Sequence, residues 1–454
     1  MHAPKEFKTI APMHHSLHPI HDDDPERAYL VGIGIKGGKP LMSVEESLRE
    51  LSELAHTAGL EVVGATKQMV EEIHPKTFVG TGKAEEIKNT LEEIGAELVI
   101  FDDELTPRHQ RELEKFFGES IKVLDRSALI IDIFGQHAQT HEGRLQVSLA
   151  QYEYLLPRLT RQWTHLERQA GGGSARGGTG GVGLRGPGET QLEVDRRDIG
   201  RRISKLKEEL EGVRAHRLRH RQQRHKTGIP VVSLVGYTNA GKSTLMKRLT
   251  EADVYIADQL FATLDPTTRK ARLPSGKELL FSDTVGFIQK LPTTLIAAFR
   301  ATLEEIHESD MLLHVVDSAH PHALQHIEAV EDTLAELDIP RLPMILVLNK
   351  CDLWRDETAL DRFQGLAYSQ VVRVSARTGT GLEALREAID HTLRQNMVKI
   401  SLALPYRHGD LIAEVHRQGM VESEEHTGEG VVLSAYLPPR FAELLSQHAL
   451  ISKK

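Results

Sequence analysis

The stretch PVVSLVGYTNAGKSTLMKRL, residues 230–249, decides the fold of the middle of this chain. Val231 to Val235 is an apolar run of strand length, and Ser243 to Leu249 reads as a helix. Between them GYTNAGKS, residues 236–243, fits the pattern G-x-x-x-x-G-K-[ST]. Gly236 and Gly241 let the backbone wrap closely around phosphates, and the loop amides and the helix N-terminus face an anion. The phosphate contacts are therefore assigned to Gly236, Tyr237, Thr238, Asn239, Ala240, Gly241, Lys242 and Ser243. Lys242 reaches β- and γ-phosphate oxygens as a point charge, and the Ser243 hydroxyl is placed for Mg²⁺.

Three further strings follow in order at the spacing of one α/β domain: DTVG at 283–286, NKCD at 349–352 and SAR at 375–377. Together the four predict a guanine-nucleotide switch. Asp352 can accept from both N1–H and the amino group of guanine, whereas adenine presents a lone pair at N1. A mismatch of that kind discriminates by a factor on the order of 10⁴. Asn349 is expected to brace the loops, the Lys350 stem to cover the base and Cys351 to line the same loop. Within Ser375, Ala376 and Arg377, the Ala376 amide is expected to bond the guanine carbonyl.

The DTVG string supplies the γ-phosphate sensor. Asp283 is read as holding Mg²⁺ through water, Gly286 as touching the γ-phosphate through its amide, and Thr284 and Val285 as lining the site. FATLDPTTR, residues 261–269, contributes Phe261, Ala262, Thr263, Leu264 and Asp265 to the nucleotide site. A threonine there must complete the Mg²⁺ shell, and spacing leaves Thr263, Thr267 and Thr268 open. Lys242, the switch threonine and Gly286 form the catalytic set. Phe287 follows Gly286 where many GTPases carry a water-orienting glutamine, and a phenyl ring cannot do that.

The chain has 454 residues, room for about three domains. Its apolar and charged fractions are those of a soluble globular protein. It shows no apolar run of the roughly 18 residues that span a bilayer and no signal-peptide pattern. Cys351 is the one cysteine, so no intrachain disulfide forms, and a cytoplasmic location is expected. A net charge of −9 excludes nucleic-acid binding by the whole surface. The segment from Arg196 to Lys226 is nevertheless arginine-rich, including Arg217 and Arg221.

Residues 1–27, rich in Pro, His and Asp, read as a disordered tail and not as a metal site, despite His14, His15, His18 and His21. Residues 28–140 alternate strands and helices and predict a parallel α/β domain. Within it VGTGKAEEI, 79–87, reads as a turn before a helix, and Asp102, Asp103 and Glu104 read as a cap for the next helix. Residues 141–228 predict a helical hairpin. Its first arm is an amphipathic helix over 142–164, with Leu145, Leu149, Tyr152, Leu155 and Leu156 on one side. Its tip GGGSARGGTGGVGLRGPGE, 171–189, holds Arg176 and Arg185 and is too rich in glycine to hold a helix. Arg176, Arg185, Arg217 and Arg221 are the candidate RNA contacts, favoured over a solvated helix face because the glycine–arginine loop stands beside the stripe. Residues 229–396 form the switch domain and 397–454 a small α+β domain. The fold class is α/β and multidomain.

RGPGETQLEVDRR at 185–197, with the glycine-rich run and the ordered switch motifs, resembles the HflX family of ribosome-associated GTPases. Further matches are EGRLQVSLAQYEYLLPRL at 142–159, FATLDPTTR at 261–269 and DTVGFIQKLPTTLIAAFRATLEE at 283–305. The resemblance implies a Mg²⁺-dependent GTPase that binds the large ribosomal subunit and its rRNA and splits stalled or idle ribosomes. It also implies Thr263 as the Mg²⁺ threonine, and it accommodates Phe287, since relatives place a hydrophobic residue after DTVG. A monomer is expected. Two alternatives remain on sequence: a GTPase of another RNA task, and an RNA-binding assembly factor whose nucleotide site only stabilises the fold.

Overall fold

A computed structural model describes residues 25–38, 40–118, 120–159, 187–225, 229–250, 260–261, 267–290, 306–307, 309–337 and 339–448. The tail 1–24, the tip from 171 to 186 with Arg176 and Arg185, and residues 262–266 with Ala262, Thr263, Leu264 and Asp265 lie outside the described residues, as do the side chains of Arg217 and Arg221. The chain divides into two compact units, residues 1–136 with 157–174, and residues 137–156 with 175–454.

The first unit is built from β1 (Arg27–Ile35), α1 (Val44–Thr57), β2 (Glu61–Val70), α2 (Thr81–Ile94), β3 (Leu98–Phe101), α3 (Pro107–Phe117), β4 (Lys122–Asp125) and α4 (Arg126–His137). Its sheet runs β2-β1-β3-β4, with every pairing parallel. The helix starts are written in the sequence. Ser43 and Glu46 form a capping box for α1, and Thr106 followed by Pro107 caps α3. Gly80 caps α2, which opens at Thr81, so 79–87 forms a turn into a helix. The acidic cluster does not cap α3. Asp102 is buried and accepts from Arg126 Nε at 3.2 Å and Nη2 at 2.7 Å, while Arg126 Nη1 donates to Glu50 at 2.7 Å. A buried arginine needs carboxylate partners, and that need outweighs the local pull of a helix terminus.

In the second unit α5 (His141–Leu155) packs along α6 (Pro187–His225). Leu145 and Leu149 meet Ile203, Leu206, Leu210 and Val213, a stripe at helical spacing. The first arm stops at Leu155 and not near 164, because Pro157 cannot continue the helix, and a 3₁₀ turn follows over Leu156–Arg158. Away from the apolar stripe, Arg196, Arg197, Arg201 and Arg202 are exposed on α6. Arg202 reaches back to the Tyr152 hydroxyl at 2.9 Å, and Lys207 pairs with Glu153 at 2.8 Å.

The six-stranded sheet of this unit runs β10-β9-β8-β5-β7-β6. Its strands are β5 (Val231–Val235), β6 (Thr268–Arg272), β7 (Glu278–Asp283), β8 (Met311–Asp317), β9 (Met344–Asn349) and β10 (Gln370–Arg373). Only β6 is antiparallel to its neighbour. One face carries Leu234, Leu313, Val315 and Val347 in a core shared with α7 (Lys242–Thr250) and α9 (Leu382–Gln395). The other face carries Val316, Leu346 and Leu348 against α8 (Ala323–Glu336). With helices on both faces, the loops at the carboxyl ends of β5, β7, β8 and β9 form the crevice where such sheets bind ligands.

The last segment forms β11 (Val398–Pro405), α10 (Gly409–Gln418), β12 (Met420–His426), β13 (Gly430–Leu437) and α11 (Pro439–His448). Its antiparallel sheet, β11-β13-β12, buries Leu402, Leu404, Leu433 and Leu437 against Val415, Phe441 and Leu445.

Candidate functional site

The crevice begins where β5 ends. A Cβ on Gly236 would come within 2.2 Å of Val315 O, so only glycine lets the loop turn beside β8. Gly241 has φ +91°, and a Cβ there would meet Asn349 Nδ2 at 2.3 Å. Asn239 also takes a left-handed φ of +56°, which asparagine tolerates. The loop closes over its own lysine: Lys242 Nζ donates to Gly236 O at 3.0 Å and Tyr237 O at 2.8 Å. Burial pulls the Lys242 pKa down to about 8, with Asp283 partly opposing the shift.

Ser243 Oγ donates to Asp283 Oδ2 at 2.8 Å, so the hydroxyl and carboxylate assigned to the metal meet. Asp283 is fully buried at the end of β7. Its Oδ1 accepts from the Thr284 amide at 3.1 Å, and Thr284 Oγ1 donates to Leu234 O at 2.6 Å. An oxygen-only pair of hydroxyl and carboxylate fits a hard cation such as Mg²⁺. Among the described residues no group of three or more His, Cys, Asp or Glu forms a separate metal site. Two of the three switch threonines, Thr267 and Thr268, lie among the described residues. Thr267 O accepts from the Asp283 amide at 3.0 Å and its hydroxyl faces Met246 Sδ at 3.9 Å, while Thr268 lies inside β6. Phe261 is buried with a left-handed φ of +57°.

The segment after Asp283 lies against the phosphate loop. Thr238 N donates to Phe287 O at 2.8 Å, and Phe287 N donates to Gly236 O at 3.1 Å. A Cβ on Gly286 would stand 2.9 Å from Thr238 Cα and 3.1 Å from Lys242 Nζ, which is why that position is glycine. The Phe287 side chain is buried.

The base loops are tied to the phosphate loop through Asn349. Its Nδ2 donates to Ala240 O at 2.8 Å and its Oδ1 accepts from Ala376 N at 3.0 Å. The bracing expected of Asn349 is thus a two-sided bond. The Ala376 amide, expected to reach the guanine carbonyl, donates to Asn349 Oδ1 here, at the junction of the two base loops. Cys351 N donates to Val374 O at 3.2 Å, and buried Ser375 accepts from Thr378 N at 3.1 Å.

Four contacts have no counterpart in the motif reading. Lys350, with φ +61°, pairs with Asp317 at 2.7 Å. Arg377 Nη2 lies 2.9 Å from Asp352 Oδ2, on the carboxylate assigned to the base. Arg248 donates to Ala376 O at 3.1 Å and Arg377 O at 2.8 Å. The Tyr237 ring stacks on His326 of α8, with centroids 4.0 Å apart and planes 1° apart. The first could have been found from Met311–Asp317, a strand-length apolar run ending in an acid. The other three leave no local signal in the sequence.

Three family models match the chain: GTP-binding GTPase N-terminal over residues 45–135, GTP-binding GTPase Middle Region over 137–224, and 50S ribosome-binding GTPase over 231–350. The GTPase HflX of Escherichia coli strain K12 is 44% identical over 411 residues, covering 90% of this chain and 93% of the relative. The GTPase HflX of Caldanaerobacter subterraneus subsp. tengcongensis is 44% identical over 422 residues, covering 93% of each. A solved GTP-binding protein of Sulfolobus solfataricus in complex with GDP is 25% identical at a TM-score of 0.42, covering 81% of this chain and 98% of that one. With the family models and the two HflX relatives beside the ordered motifs and the closed phosphate loop, the chain belongs to the HflX family of GTPases and is a GTP hydrolase.

Proposed function

We propose that this GTPase acts on ribosomes: in its GTP form it binds the large subunit through rRNA contacts and splits or rescues stalled ribosomes. The observation that carries the reading is the pairing of two features in one unit. One is the nucleotide crevice. The other is a helix pair that buries an apolar stripe and leaves Arg196, Arg197, Arg201 and Arg202 exposed, shortly after the glycine–arginine segment in sequence. The family description of residues 231–350 as a 50S ribosome-binding GTPase supports the same partner. In this reading the protein works as a monomer in the cytoplasm, partly on ribosomes. Among the described residues no helix is long and apolar enough to cross a membrane.

We assign the roles from the motifs, with the described contacts in support. Asp352 takes the two guanine donors, the Lys350 stem covers the base, and Asn349 holds that loop to the phosphate loop. Loop amides from Gly236 to Ser243 and the Lys242 ammonium take the phosphates. Ser243 would hold Mg²⁺ directly, together with Thr263 as the family resemblance implies, and Asp283 would act through water. The ion supplies charge neutralisation on the phosphate oxygens. The Gly286 amide senses the γ-phosphate. Phe287 presents no side-chain donor or acceptor to a water, so hydrolysis by the free protein is slow and the ribosome orders the attacking water. Arg176 and Arg185 at the tip, with Arg217 and Arg221 on α6, contact rRNA phosphates and base faces.

Gradient sedimentation tests this reading. With a non-hydrolysable GTP analogue the protein should travel with the large subunit and deplete intact ribosomes; with GDP it should stay near the top. Identical profiles in the two nucleotides would contradict it.

A further inference from the structure

Tyr237 occupies a position of the phosphate loop that the motif leaves unspecified, and its side chain does something the motif does not ask for. The hydroxyl accepts from the Gln289 amide at 2.9 Å, three residues beyond the γ-phosphate sensor Gly286. The ring is almost fully buried and lies flat on His326. His326 is in turn stacked on His320, with centroids 4.5 Å apart. One side chain therefore connects three elements: the phosphate loop, the segment after β7, and α8.

The segment so held is the one that must respond to the γ-phosphate. Residues 286–289 lie on the phosphate loop through Thr238 N to Phe287 O, Phe287 N to Gly236 O, and the Tyr237 hydroxyl. The Thr238 amide is a phosphate-loop donor, here engaged by Phe287. The approach of Gly286 to Lys242 Nζ leaves a Cβ at that position only 3.1 Å from the ammonium. Lysine in this motif reaches both β- and γ-phosphates, so a γ-phosphate bound there must be accommodated beside the Gly286 segment. A nucleoside diphosphate makes no such demand. The closed segment therefore costs GTP something that it does not cost GDP, and a ligand shifts a conformation only through such a difference.

We propose that Tyr237 is a positioning residue that sets the preference between GTP and GDP, holding residues 286–289 against the phosphate loop with its hydroxyl while His326 fixes its ring. The inference rests on the GTPase reading of the crevice and adds a determinant that the motifs do not name. It also gives α8 a part in the cycle. Release of the segment frees the Tyr237 hydroxyl, and the stack passes that change to a helix on the opposite face of the sheet from α7.

The test uses full-length protein and displacement of a fluorescent GDP analogue by GDP and by a non-hydrolysable GTP analogue. Tyr237→Phe keeps the ring and removes one neutral hydrogen bond. It should raise the ratio of GTP-analogue to GDP affinity by about two- to twelve-fold. The Tyr237 backbone amide in the phosphate loop is kept by the substitution, so the ratio of the two affinities, not either one alone, is the readout. His326→Ala, which unseats the ring, should move the ratio the same way, and His326→Phe should restore it toward wild type. A merely structural role would weaken both nucleotides together and leave the ratio alone. An unchanged or lowered ratio in Tyr237→Phe overturns the proposal. Failure of the wild-type protein to bind either nucleotide would instead sink the reading of the crevice, so the two failures are distinguishable.

Discussion

Arg377→Ala should tighten guanine-nucleotide binding, although it removes a cation from an anion-binding protein. Guanine presents two donors to Asp352 and needs both carboxylate oxygens. In the structure Arg377 Nη2 sits 2.9 Å from Oδ2, so the base must displace the guanidinium before it can bond fully. The Arg377 side chain is 76% exposed and that of Asp352 14%, so the pair belongs to the weak class of surface ion pairs. Such pairs are worth about 0.2–1 kcal/mol, which corresponds to a gain of about 1.4- to 5-fold in GDP affinity. The loop itself should hold, because Arg248 bonds the carbonyls of Ala376 and Arg377, which the substitution keeps. The assay is equilibrium displacement of a fluorescent GDP analogue at physiological salt, where the Debye length of about 8 Å screens the lost charge from the distant phosphates. Inosine diphosphate is the internal control. It lacks the amino group, uses one carboxylate oxygen, and should gain less than GDP. A GDP affinity equal to or weaker than wild type would refute the competition.

Asp352→Asn should shift preference from guanine toward xanthine nucleotides, because one acceptor becomes a donor; equal competition by GTP and ATP at the wild-type site would refute base reading by Asp352. Acid should destabilise the protein through buried His314 and half-buried His326. Burial pushes His314 and His326 down to about 3, so below about 6.5 the unfolded chain binds protons that the native one refuses. Each then removes up to about 1.4 kcal/mol per pH unit as pH falls from 6.5 toward 3. His326→Phe should lower the proton uptake on unfolding by about one near pH 5, read from unfolding midpoints between pH 5 and 7; an unchanged slope would contradict the burial argument. Neutralising Arg217 and Arg221 should weaken subunit binding and flatten its salt dependence by about 0.7–0.9 log unit per lost phosphate contact. Shortening residues 171–184 should leave GTP binding intact but slow ribosome splitting in light scattering; wild-type splitting would reduce the tip to a linker.

The nucleotide crevice was largely legible because its parts are local. A strand, a glycine loop and a helix start are contiguous, and the spacing of the remaining strings matches one parallel sheet. Helix starts were legible for the same reason, as Ser43–Glu46 and Thr106–Pro107 illustrate. What escaped was tertiary pairing. Asp102 sits where a cap is expected, yet buried Arg126 takes it from across the unit. The bond from the Ala376 amide to Asn349, at the end of β9, joins two loops that no local pattern links. The Tyr237 ring and His326 come together only once α8 has packed on the sheet. Periodicity reports which face of an element is buried, not which side chain waits on the facing element.

Single-turnover GTP hydrolysis, with and without purified large ribosomal subunits, tests the central claim most directly. With Phe287 buried and bonded to the phosphate loop through its backbone, the free protein should turn over slowly. Added subunits should accelerate it by an order of magnitude or more, in the manner of a partner-completed GTPase site. Fast hydrolysis by the protein alone, unchanged by large subunits, would contradict the account.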